Sequence, residues 1–254
     1  MTSEHYIEAD DLAIAWASAL RLASMPGRSE LGPLTIAITG FDSRGIVREA
    51  PRIRAAVDAL LDAKSMQTAD TVANTIFPAS LWNPNADRGQ LFERYRRITA
   101  QLKQASSKNR RGIYFDRMIS GGPKGAENQL EHAISMFLSR KSVRRSALQI
   151  ATFNPSLDHS TSAQLGFPCL QHVTFAPCNG RLNVNAFYAT QYLVERAYGN
   201  YLGLCRLGRF VAHELGVPLG RLTCLVGIAE VDGGKRGLKP IFDALDATAS
   251  SRSR

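Results

Sequence analysis

Cysteine is scarce in this chain, and long apolar runs are missing. Only Cys169, Cys178, Cys205 and Cys224 occur, and no two form a C-x-x-C pair. That spacing builds most zinc sites, so no metal centre is expected. No apolar stretch approaches the roughly eighteen residues that span a bilayer, which argues against a membrane helix. The opening MTSEHYIEADD is acidic and has no apolar core, so no secretory signal is read there. The expectation is a cytoplasmic protein with reduced thiols. Internal repeats and low-complexity segments are also missing.

What is present fits one large domain over residues 1–254: 44% hydrophobic and 21% charged residues are ordinary for a soluble globular chain. Basic residues outnumber acidic ones, for a net charge of +9. That balance suits an anionic partner, either a phosphorylated small molecule or a nucleic acid. Part of the excess is local, at Arg94, Arg96, Arg97, Lys103, Lys108, Arg110 and Arg111. Such a cluster is either a solvated face or a device that speeds the arrival of an anion.

The apolar spacing predicts an amphipathic helix over 7–24, a strand over 33–40 and a helix over 51–63 with Pro51 in its first turn. A proline- and asparagine-rich loop follows (IFPASLWNPNADR), then helices over 88–105 and 127–140 around a flexible loop at 119–126. Strand-like stretches then dominate, at 146–153, 169–177, 181–193 and 222–232, with a long helix over 198–216. Early helices and a strand-rich second half indicate an α+β domain. Residues 233–254 read as a short tail, mobile at its end.

A few residues can carry chemistry. Cys169, in Phe167-Pro168-Cys169, stands at the head of a strand. It is either a nucleophile at a cavity mouth or a small buried apolar residue. Arg144 and Arg145 precede a strand, as a phosphate fork or a solvated turn. Arg28 sits on a loop flanked by glycine and proline. Asn200 lies at a helix start, where an amide can read a pyrimidine edge or simply satisfy the core.

With these residues in place, the chain resembles the thymidylate synthase and deoxycytidylate hydroxymethylase superfamily. PCLQHVTFAPCNGRL is similar to the family's Pro-Cys-His strand and Gly-x-Leu turn. YGNYLGLCRL is similar to its asparagine-bearing helix start, and GRSELGPLTI to its arginine loop and first strand. The likeness runs in order over about 26–232. It implies a three-layer α+β fold with a large mixed sheet and a back-to-back homodimer. It implies that Cys169 adds to C6 of a pyrimidine nucleotide or nucleoside, and that C5 then receives a methyl or hydroxymethyl group from 5,10-methylenetetrahydrofolate. By the same likeness Asp58 falls near the catalytic glutamate. Arg28 grips phosphate, Arg144 and Arg145 reach phosphate from the partner subunit, and Asn200 reads the base.

Several positions depart from the pattern. Tyr188-Ala189-Thr190 replaces Gln-Arg-Ser, so the arginine that touches both phosphate and thiolate becomes Ala189. The histidine after the cysteine is Leu170, and the folate-holding aspartate is Tyr192. The sugar-binding strand reads Ile228-Ala229-Glu230-Val231-Asp232, in which Glu230 and Asp232 can accept from sugar hydroxyls. The alternatives are a folate-independent chemistry at C5, or a non-catalytic nucleotide- or RNA-binding protein that kept the fold.

Overall fold

A computed structural model describes residues 5–105, 109, 113–139, 142–159 and 168–252. Phe167, Lys108, Arg110 and Arg111 lie outside them. In chain order the elements are β1 (Tyr6–Ala9), α1 (Leu12–Ala23), β2 (Glu30–Leu31), β3 (Leu34–Ile38), α2 (Pro51–Ala63), α3 (Ala69–Ile76), α4 (Gly89–Ala105), α5 (Tyr114–Ser120) and α6 (Gln129–Ser139). Then come β4 (Gln149–Ala151), α7 (Pro155–Asp158), β5 (Leu170–Cys178), β6 (Arg181–Tyr192), α8 (Tyr198–Glu214), β7 (Leu219–Glu230) and α9 (Lys239–Arg252). No described helix is long and apolar enough to cross a membrane.

The strands form one mixed sheet in the order β1-β3-β7-β6-β5-β4, with β2 added to β7. β6 and β7 run parallel, as do β1 and β3, and the other pairs are antiparallel. The α+β expectation therefore holds. Alternation along β7 sends Leu222, Cys224 and Val226 into the core and leaves Leu225 exposed. Phe187 pairs with Leu225, and Leu225 with Thr35, so this outward row crosses neighbouring strands.

On the inner face lies α8, buried on nearly every side. It packs between the sheet and α3. Glycine makes the close approach to α3 possible. A Cβ at Gly199 would stand 2.6 Å from the Ala69 carbonyl oxygen, and one at Gly203 2.7 Å from that of Ala73. Beyond α3, Phe77 stacks on Phe210 of α8 with centroids 5.3 Å apart.

The two ends of the chain differ from the sequence expectation. The helix expected from residue 7 begins at Leu12, because the Asp11 side chain caps it by accepting from Ile14 N–H. The residues before it pair with β3 as a strand. The segment expected as a tail carries α9, which buries Ile241 and Leu245. Arg21 pairs with Asp246 at 2.7 Å and holds α9 to α1. An amphipathic helix docked on two others is hard to tell from a polar tail when its own apolar stripe is this narrow.

Replacing Gly203 with valine should lower stability by about 1–3 kcal/mol, the usual cost of forcing volume into a filled contact. Chemical denaturation would read it, and an unchanged midpoint would mean that α3 does not seat on this glycine.

Candidate functional site

Cys169 sits just before β5, where pairing with β6 is irregular. Leu170 pairs with Tyr188, but His172 pairs with Phe187, so one extra residue bulges between them. Bulges of this kind re-aim side chains at the ends of strands. The backbone there is pinned on three sides. The Ala189 N–H donates to the Cys169 carbonyl at 3.0 Å. The Leu170 N–H donates to the Tyr114 hydroxyl at 3.3 Å, and the Thr152 hydroxyl donates to the Leu170 carbonyl. Cys169 is thereby left exposed while Leu170 enters the core.

Tyr114 belongs to α5, which a buried ion pair anchors. Arg117, one turn on, forks onto both oxygens of Asp158 at 2.7 and 2.8 Å and also donates to the Thr152 carbonyl. Bidentate geometry of this kind fixes orientation as well as distance. Burial pushes the Tyr114 phenol up to about 12, with a thiolate at Cys169 acting in the same direction. Tyr114 therefore keeps its proton at neutral pH and can donate it to a ligand beside the thiol.

The second neighbour is Arg196. It lies in the π-helical turn Leu193–Ala197 that joins β6 to α8. Asp232 holds this turn, accepting from the N–H groups of Val194 and Glu195 at 2.8 and 3.0 Å. Trp16 Nε1 donates to the Leu193 carbonyl at 2.8 Å. Arg196 donates to Gln67 at 2.7 Å and pairs with Glu195 at 2.8 Å. Desolvation by the surrounding protein raises the Cys169 thiol above the ordinary cysteine value, and the Arg196 charge pulls it back down. Beneath them Tyr188 is fully buried, close enough to Cys169 for a thiolate to raise it further. The Tyr188 hydroxyl and Gln191 Nε2 are buried without hydrogen-bond partners among the described residues. Leaving such groups unpaired costs about 1–3 kcal/mol each.

The other predicted residues are spread more widely. Asn200 is 4% exposed, in the first turn of α8 and four residues after Arg196. Arg28 is half-buried on the loop before β2, whose Ser29 carbonyl accepts from Val231 N–H, so it lies by the end of β7. Glu230 ends β7 opposite Glu30 and Tyr192. Asp232 is occupied in holding the turn. Asp58 is exposed on α2 and accepts from Arg54 at 2.9 and 3.1 Å. Arg54 also binds Glu49 and Asp70. Glu49 in turn accepts from the Tyr198 hydroxyl at 2.7 Å, which makes it the carboxylate nearest the start of α8 in this network. Arg144 and Arg145 are exposed before β4, with no ion-pair partner among the described residues. Gln149 pairs with Thr174, which puts both arginines toward the far end of β5 from Cys169. Nine residues of strand place that end about 30 Å away.

Tyr114 and Arg196 carried no clear signal in the sequence. One lies in a short helix, and the other in an irregular turn next to an acidic residue.

No family model matches this chain. It is 31% identical over 98 residues to a protein of Methanocaldococcus jannaschii named "Putative thymidylate synthase". The match covers 38% of this chain and 43% of that protein, so the chain spans less than half of its length. The similarity supports a thymidylate synthase-like relationship.

Loss of the Arg196 charge leaves desolvation of the thiol unopposed. Alkylation of Cys169 by iodoacetamide at pH 8, read by peptide mass spectrometry, should slow roughly three- to ten-fold in Arg196→Gln and recover in Arg196→Lys. Exposed Cys178 is the internal reference. Equal rates in wild type and Arg196→Gln would remove Arg196 from the account of this thiol.

Proposed function

We propose that the protein is an enzyme acting at C5 of a pyrimidine nucleotide or nucleoside through addition of Cys169 to C6. The observation that carries this reading is an exposed thiol within electrostatic reach of a protonated phenol, which binds the next residue's N–H, and of a guanidinium. The partial match to a protein with a thymidylate synthase name supports the same class. In the proposed step the thiol gives its proton to solvent and sulfur bonds to C6. The C5=C6 electron pair shifts to C5 and onward to the C4 oxygen in a uracil or to N3 in a cytosine. Tyr114 and Arg196 stabilise the charge that develops on the ring. A proton from water adds to C5. Loss of the original C5 proton and expulsion of the thiolate restore the ring, so the net change is exchange of the C5 hydrogen. Asn200 orients the base, Glu230 meets a sugar hydroxyl, and Arg28 meets the anionic end.

The resemblance implies methylenetetrahydrofolate, which would supply a one-carbon unit to C5. The residues do not fit it in the family's manner. The folate-holding aspartate is replaced by Tyr192, exposed at the end of β6. No step is routed through folate, and the folate-independent form is the one these residues favour.

A back-to-back homodimer belongs to the same reading. Its support is the outward sheet face, where Phe187, Leu225 and Ile228 are 37–45% exposed. Apolar surface of this kind on a sheet marks an interface. A second copy on that face would offer its Arg144 and Arg145 to the site, which they are too distant to serve within one chain.

Incubation with C5-tritiated UMP, dUMP, CMP or dCMP should release tritium to water from wild type and not from Cys169→Ala. Equal counts from both proteins would sink the enzyme reading in favour of a non-catalytic nucleotide binder. Light scattering should give twice the chain mass for wild type. Leu225→Lys should give monomers, because a charge buried in an apolar interface is strongly disfavoured. A monomeric wild type would remove the dimer.

A further inference from the structure

Arg196 also lines a cavity away from the thiol. A cavity of about 310 Å³ opens between α3, the turn at Pro78–Leu81 and α4. Cys169 does not line it. Gln67, Asn74 and Ser80 supply amide and hydroxyl groups, Ile98 and Leu102 supply aliphatic surface, and Arg196 supplies the charge. Its volume lies at the small end of the range for ligand sites, about 300–1,000 Å³.

The lining restricts what can bind. Aliphatic surface together with hydrogen-bonding groups suits a ring whose edge makes hydrogen bonds. Arg196 makes the charge positive, and no carboxylate lines the cavity among the described residues; Glu195 already pairs with Arg196 at 2.8 Å, so an anionic substituent binds through the N–H groups that Glu195 and Gln67 leave over. A guanidinium has five N–H donors, and two partners such as Gln67 and Glu195 do not exhaust them. We propose that this cavity is a second ligand site, which takes a small planar acid through Arg196, and that its occupancy is felt at Cys169. The physical link is that one cation lines the cavity and also acts electrostatically on the thiol. When an acid engages Arg196, less of its positive charge is available to the thiolate, and the thiol becomes less reactive.

The test uses 4-hydroxybenzoate as the probe and 4-hydroxybenzamide, its neutral counterpart, as the control, with binding followed by calorimetry. Wild type should bind the acid at least ten-fold more tightly than the amide. Arg196→Gln should lose that preference, and Arg196→Lys should keep part of it. Ser80→Trp, at an exposed rim position, should block both probes by filling the mouth. Cys169→Ala should bind as wild type does, which separates this proposal from the covalent chemistry. Saturating acid should slow iodoacetamide labelling of Cys169 several-fold in wild type and leave it unchanged in Arg196→Gln. No saturable binding, equal affinity for acid and amide, or unaltered binding in Ser80→Trp would overturn the site. Binding with no change in labelling would overturn the link to Cys169.

Discussion

The carboxylate of Asp232 governs where the site residues sit. Each of its oxygens accepts one backbone N–H from the turn in which β6 becomes α8. Five residues in π-helical form leave carbonyl and amide groups poorly matched to either neighbour. A carboxylate at such a start satisfies orphan donors and opposes the positive end of the helix that follows. Trp16 fixes the same turn from below through the Leu193 carbonyl. Arg196 projects from this turn, and Asn200 follows within one helical turn of it. The far wall is set by the sheet, through the Ala189 bond to the Cys169 carbonyl. The thiol and the guanidinium thus come within electrostatic reach because two backbone junctions are fixed independently.

Opposing effects set the state of Cys169. Protein packed beside the thiol removes part of the water from it, which disfavours the thiolate. A nearby cation offsets part of that penalty. Tyr114 responds to the same burial and holds its proton more firmly, which suits a donor better than a base. The arginine that the family resemblance places on β6 is Ala189 here, and the positive charge near the sulfur comes from Arg196 in the next element. A change at one position and a cation from another keep the local electrostatics of the same sign, by a different route.

Much of the fold was legible in the sequence because its signals are local. Pro51 in a first turn, the alternation along β6 and β7, and the apolar spacing of α8 each act within a few residues. They correctly mark α2, the central strands and the long helix. Short elements with weak periodicity escaped. The segments α3 and α5 are 8 and 7 residues long, and their helicity depends on packing against α8 and on the Arg117–Asp158 fork. The strand β1 escaped because four residues carry too little pattern to compete with the helix beside them.

The sequence by itself determined the α+β class, the strand that follows Cys169 and the helix that carries Asn200, since periodicity and residue type suffice for these. Only the tertiary structure decided what surrounds the thiol. Tyr114, Tyr188 and Arg196 are separated from Cys169 by up to 55 residues of chain, and neither spacing nor composition encodes their approach. It likewise assigned Asp232 to the backbone of a turn and Asp58 to Arg54. A carboxylate binds whichever donor the fold brings within reach, and that choice is made by long-range packing.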